Sequence, residues 1–278
     1  MRVKTGVLGM DTLLGGGFRK NTVNVIVGAA GTGKTIFALQ YLLKGVENDE
    51  KGIYISFEVD AKSLITLAES LGWRQLMKAM EDGRIVATRS KANMIDYINE
   101  DLLNFIEKNA EENTRIVIDS LTPLIAPIDF SQRNDLNWFF EQLKANGTTL
   151  VTIEERFTGS LSLPEVALPV FLADSVIYLK NIKYGEPFSR TIEIIKHRAS
   201  WHAEGVYPYR ILPGLGIVVE CDIDFKPSDK KILEYINSLN IPEDLKEKLE
   251  FLAKQVEVTE KFIEKVVRIY DMEAKRSP

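Results

Sequence analysis

The segment Gly28-Ala29-Ala30-Gly31-Thr32-Gly33-Lys34-Thr35 lies between a β-branched run, NVIV at 24–27, and an amphipathic stretch, TIFALQYLLKGV at 35–46. A glycine-rich loop between a strand former and a helix former folds as strand, tight turn and helix. Its glycines let successive backbone N–H groups turn inward, and the helix N-terminus adds partial positive charge. The segment fits GxxxxGK[ST] at every fixed position, which predicts a cradle for a nucleoside triphosphate, read as ATP. Lys34 then reaches the β- and γ-phosphates, and the Thr35 hydroxyl joins the shell of a Mg²⁺ ion.

The same alternation continues along the chain. Strands are expected at 53–57, 84–87, 115–119 and 150–153, with helices near 34–46, 61–80, 95–110 and 135–146. That order predicts an α/β fold whose mostly parallel sheet is covered by helices on both faces. After residue 174 the pattern changes to hairpins: SVIYLK, a turn at 184–187 and RTIEIIKH, then PYRILPGLGIVVE. Antiparallel strands are therefore expected at the far side of the sheet.

Two acids end apolar strands. Asp119 closes RIVID, where a carboxylate can hold Mg²⁺ through water. Glu58 follows YISF, where it either orients an attacking water or caps the next helix.

Composition excludes several classes. A net charge of −5 argues against a protein that coats nucleic acid, though not against a local basic groove. Cys221 is the only cysteine, so no intramolecular disulfide can form and a reducing cytoplasm is the expected home. The start carries no signal-peptide h-region, and no apolar run is long enough for a membrane span. His197 and His202, the only histidines, are too few for a metal cluster and suit packing or an interface.

Lys226-Pro227-Ser228 marks an expected boundary between a domain at 1–225 and a helical extension at 226–278. The extension holds eleven acidic and eleven basic side chains, so the whole net charge belongs to residues 1–225. Ser228 is a candidate cap for a first helix at 229–239, and Pro242 opens a second. Along that second helix Leu245, Leu249, Leu252, Val256, Thr259, Ile263, Val266 and Tyr270 form an apolar stripe. It either packs on the chain's own domain or forms a seam for a protein partner.

From Thr5 to Val219 the chain resembles the KaiC-like ATPases of the RecA superfamily. The resemblance runs through TGVLGMDTLLGGGF, GAAGTGKTIFALQYL, YISFEVD with SLGW after it, RIVIDSLT, EER and KHRASWHAEGVYPY, in that order. The last block is the most specific, since a phosphate loop alone is shared by many families. It implies a RecA-like P-loop core and rings, usually hexamers, with ATP held between neighbours. Glu58 then matches the catalytic glutamate, Asp119 the Mg²⁺-site aspartate, and Lys196 with Arg198 the cations reaching the γ-phosphate of the next subunit. Such a cation is worth about 10³–10⁵ in rate. Without the resemblance, Lys196 and Arg198 share one strand face, and a solvated surface near Glu193 or Glu204 is the plainer reading.

The departures restrict function. Glu58 is followed by Val59, where the clock kinases carry a second glutamate. Their phosphorylated Ser-Thr pair falls at Val170-Phe171, which excludes a circadian autokinase. Three functions stay open: a slow ring ATPase with a switching role, an ATP-gated scaffold, and a recombinase-like ATPase on single-stranded DNA. The last ranks behind the others, because the segments expected to hold DNA, 125–133 and 156–165, offer one arginine each and little aromatic surface.

Overall fold

Strand formers and helix formers alternate along the chain in space as they do in sequence. The computed structural model describes residues 1–57, 59–90, 101–126, 130–155, 161, 163–181, 190–219, 230–255 and 258–275. The first half comprises β1 (Arg2–Val3), α1 (Met10–Leu13), β2 (Phe18–Arg19), β3 (Val23–Gly28), α2 (Lys34–Glu47), β4 (Gly52–Ser56), α3 (Ala61–Ser70), α4 (Arg74–Glu81), β5 (Ile85–Arg89), α5 (Leu103–Asn109) and β6 (Arg115–Asp119). Next come α6 (Thr122–Ile125), α7 (Arg133–Asn146), β7 (Thr148–Glu154), α8 (Pro164–Leu172), β8 (Ser175–Asn181), β9 (Arg190–His197), β10 (Val206–Leu212) and β11 (Gly216–Val219). Three helices close the chain: α9 (Lys230–Ser238), α10 (Glu243–Gln255) and α11 (Glu260–Lys275).

Nine strands form one sheet in the order β11-β10-β9-β8-β3-β7-β6-β4-β5. The strands from β3 to β8 pair in parallel, and β9, β10 and β11 add antiparallel to β8 and to one another. Side chains alternate between two apolar layers, as the period of two requires. Ile26, Tyr54 and Val117 join α2, α3 and α4, while Val25, Ile55 and Ile118 join α5, α7 and α8. Each fully buried aliphatic chain contributes about 1.5–3 kcal/mol, so two filled layers hold the sheet between its helices.

A third cluster lies under the hairpin of β10 and β11. Leu212, Leu215 and Val218 meet Leu245, Leu249, Leu252, Phe262, Ile263 and Val266 of α10 and α11. The apolar stripe thus packs on the chain's own hairpin. The single long helix expected after Pro242 is two helices, and Thr259 caps the second through its hydroxyl, which accepts from Phe262 N at 3.2 Å. The helix expected over 61–80 is likewise two, broken at Gly72 with φ +72°. A helical period survives such a break, so periodicity alone does not reveal it. The turn at 184–187, the Ser228 cap, Val256 and residues 95–100 of the helix expected over 95–110 lie outside the described residues, and α5 is the described part of that helix.

Candidate nucleotide site

The loop Gly28–Thr35 joins the C-terminal end of β3 to the first turn of α2. Gly28 closes β3 where a Cβ would lie 2.5 Å from Leu179 O and 2.7 Å from Thr32 Oγ1. Gly31 and Gly33 turn the loop through φ +78° and +96°, which side chains avoid. A Cβ on Gly31 would meet nothing within 4 Å, so this arm of the loop borders open space, as a cradle for a phosphate needs. Gly33 caps α2 without any side-chain acceptor, leaving the first-turn N–H groups to the loop. Lys34 folds over this concavity, and its Nζ donates to Gly28 O at 2.9 Å and Ala29 O at 3.0 Å. Ala30 is exposed and Thr35 half-buried beside it. This donor set suits a triphosphate: backbone N–H groups, a helix start, an ammonium and a hydroxyl for a cation.

Two contacts that spacing cannot reveal pin the loop. Thr32 Oγ1 donates to Ala29 O at 2.8 Å, and the Tyr209 hydroxyl from β10 donates to Thr32 O. Burial pushes the Tyr209 phenol up, so it stays a donor. Glu155 N caps Gly28 O at 3.1 Å, and the Glu155 carboxylate accepts from Tyr178 OH. Tyr209 and Thr32 stand 177 positions apart, which is why no motif links them.

Asp119 ends β6 on the same sheet edge as the loop, with β7 between β6 and β3. It is buried, and it accepts from Tyr54 OH of β4 and Thr152 Oγ1 of β7. Three neighbouring strands thereby hold one carboxylate. Ser56, paired with Asp119 across β4 and β6, ends its strand there and accepts from Val59 N at 2.8 Å. Glu58 lies outside the described residues. Among the described residues, no group of three or more His, Cys, Asp and Glu could hold a metal ion.

Lys196 and Arg198 stand apart from all of this. Ser175 pairs with Asn24 on one side and His197 on the other, so across β8 the end of β9 lies level with the start of β3. The loop leaves the opposite end of β3, four residues on, about 13 Å along the strand. Here Lys196 Nζ donates to Val170 O at 2.7 Å and Phe171 O at 2.9 Å, and Arg198 Nη2 to Phe171 O at 2.8 Å. Burial first, then the Arg198 charge, lowers the Lys196 ammonium to about 8. The face is not the simple solvated pair with Glu193: that carboxylate binds Lys180 at 2.7 Å. His197 is buried, with Ser175 and Arg2 within hydrogen-bond distance of its ring nitrogens, and His202 Nδ1 lies 3.2 Å from Ala203 O.

The fold and the loop define a RecA-like P-loop protein. The chain belongs to the KaiC family of ATPases, whose family model matches residues 3–223. It is 29% identical over 246 residues to circadian clock protein KaiC3 of Synechocystis sp., covering 83% of this chain and 48% of that relative. It is 30% identical over 227 residues to the circadian clock oscillator protein KaiC of Synechococcus elongatus, covering 76% and 42%. The chain thus spans less than half the length of these relatives. Among solved structures, a KaiC-like protein of the hyperthermophilic archaeon Pyrococcus horikoshii OT3 matches with TM-score 0.64 at 31% identity, covering 79% of this chain and 98% of that one. Among the described residues, no helix is long and apolar enough to cross a membrane.

Proposed function

We propose that this chain binds Mg²⁺-ATP in the Gly28–Thr35 loop and hydrolyses it slowly at the interfaces of a ring of identical subunits, read as a hexamer. One observation carries the interface reading: Lys196 and Arg198 lie at the opposite end of the sheet from their own loop. That distance keeps them from their own loop's nucleotide and supports a role toward one held by another copy. Lys34 and the loop N–H groups hold the β- and γ-phosphates, and Thr35 holds the Mg²⁺. Asp119, fixed by two hydroxyl donors, supports the cation's shell from behind. Held there, Mg²⁺ would supply charge neutralisation at the phosphates. Glu58 orients the attacking water, and the neighbour's Lys196 and Arg198 stabilise charge leaving the γ-phosphoryl group, worth about 4–7 kcal/mol of barrier. Assembly and turnover are then coupled, which suits a conformational switch in the cytoplasm, with residues 226–278 as an appended unit.

The test is steady-state hydrolysis against protein concentration for wild type, Glu58→Gln and Arg198→Ala. The specific rate of wild type rises as rings assemble, and both variants lose nearly all activity. Mixing the two dead variants restores part of it, because Glu58 and Arg198 act from different subunits. ATP binding without turnover in wild type would leave the loop a binding switch and remove the catalytic reading.

A further inference from the structure

Strand β9 carries an irregularity where it meets β8. Val176 pairs with Lys196 and Ile177 with Ile194, so Ile195 is an extra residue on β9. Such a bulge reverses which face the following side chains take. Ile192 and Ile194 point into the layer of α2. With regular alternation Lys196 would join them. With the bulge, Lys196 lies opposite Val176, which faces the layer of α8, and reaches the carbonyls at the end of that helix. Arg198, two residues on, takes the same direction. His197 turns the other way, toward the leading segment of the chain.

Beside the bulge, on that second face, lies a chain of three polar side chains. Ser175, paired with His197 across the strands, lies 2.7 Å from its Nδ1. Arg2 of β1 donates from Nη1 to His197 Nε2 at 3.0 Å, and from Nη2 to the Ser200 hydroxyl. A guanidinium only donates, so Nε2 is the accepting nitrogen and Nδ1 carries the hydrogen donated to Ser175. The ring is therefore neutral, and burial first, then the charge of Arg2, lowers its titration to about 4. Arg2 is itself anchored on Gly17 O at 3.2 Å. Both directions of the imidazole are fixed, at the position between the two cations.

We propose that His197, held by Ser175 and Arg2, is the positioning residue that sets Lys196 and Arg198 on the α8 side of the sheet. In the single chain they rest there on Val170 O and Phe171 O, and from there the next subunit's nucleotide draws them. This rests on the interface reading given above. His197 touches no nucleotide: it acts through the bulge, and through the leading strand that ties residues 197–200 down. The activity of one subunit's nucleotide then depends on Arg2, Ser175 and His197 of the next.

The experiment measures kcat and KM for ATP in His197→Leu, His197→Gln, Ser175→Ala and Arg2→Gln, each as the full chain, with Arg198→Ala alongside. A displaced cation lowers kcat in His197→Leu by about 10- to 100-fold, while KM stays near wild type because its own loop is untouched. His197→Gln, which keeps an acceptor for Arg2, recovers part of the loss. Mixing His197→Leu with Glu58→Gln restores turnover, since the first supplies a good Glu58 and the second good cations. A general folding defect would also lower apparent kcat, but it would lower the melting temperature with it and would not be complemented. Unchanged kcat in His197→Leu, with Arg198→Ala inactive, overturns the positioning role alone. Full activity in Arg198→Ala overturns the interface reading beneath it. If His197→Leu does not fold, Ser175→Ala and Arg2→Gln carry the same expectation and the same refutation.

Discussion

Glycine does two different jobs in one octapeptide, and they predict different penalties. At Gly28 the obstacle is contact, because a Cβ would sit 2.5 Å from the carbonyl oxygen of Leu179 on a paired strand. At Gly31 the obstacle is conformation alone, since nothing lies within 4 Å at φ +78°. Gly31→Ala should therefore cost about 1–2 kcal/mol, the ordinary penalty for a left-handed residue. Gly28→Ala should cost more, because strand β8 must move. Denaturant unfolding of the two variants checks the order; equal midpoints would contradict it. The pattern of glycines was legible in the sequence, but which neighbour enforces each was not. Asp119 teaches the same lesson: its strand-end position is visible, whereas Tyr54 and Thr152 arrive only through strand register.

Elements show where local signals run out. The segment 61–80 keeps a helical period through Gly72, yet the chain breaks there. A Cβ on Gly72 would lie 2.8 Å from the ring of Phe251 on α10, and Trp73 Nε1 donates to Gly214 O at 2.8 Å. The break is the seat of the C-terminal helices, a reason that belongs to a distant part of the chain. On the other side of that junction, a cavity of about 300 Å³ separates α10 and α11 from the leading segment. Glu273 of α11 faces it, accepts from Gly9 N at 3.1 Å and confronts the buried Asp11, with Lys4 and Lys44 nearby. Burial first, then the Asp11 charge, raises the Glu273 carboxyl from 4.5 to about 8. A raised carboxyl is protonated in the fold where the unfolded chain has ionised. Its contribution is complete below 4.5 and is lost as pH rises through about 8. The melting temperature should fall across that window in wild type and fall less in Glu273→Gln, as scanning calorimetry will show.

The whole molecule is polar in the geometric sense: phosphate loop at one end of the parallel strands, paired cations at the other. Around the cations the surface is unusually apolar for an exposed face. Phe171 is 55% exposed beneath Arg133, whose guanidinium lies 4.6 Å from the ring centroid, and Trp201 is 67% exposed just beyond Arg198. Exposed aromatic and arginine side chains of this kind anchor protein interfaces. If this face meets the next subunit, Trp201 loses water on assembly. Its emission should shift to the blue when Mg²⁺-ATP is added at concentrations where the specific rate rises. Trp73 is already buried but Trp138 is 44% exposed, so the shift belongs to Trp201 where Trp201→Phe abolishes it and Trp138→Phe does not. An unchanged spectrum in assembled wild type would exclude Trp201 from the contact.

Periodicity and one octapeptide determined the layered α/β plan, the phosphate loop and the antiparallel far side, because each depends on residues close together in the chain. Backbone alternation and the φ demands of glycine are local physics. The aim of Lys196 and Arg198, the three-strand grip on Asp119 and the breaks in two helices were decided by tertiary structure. Each depends on which strand lies beside which and in what register, and a single extra residue at Ile195 reverses the outcome. Sequence spacing carries no record of that pairing until the sheet has formed.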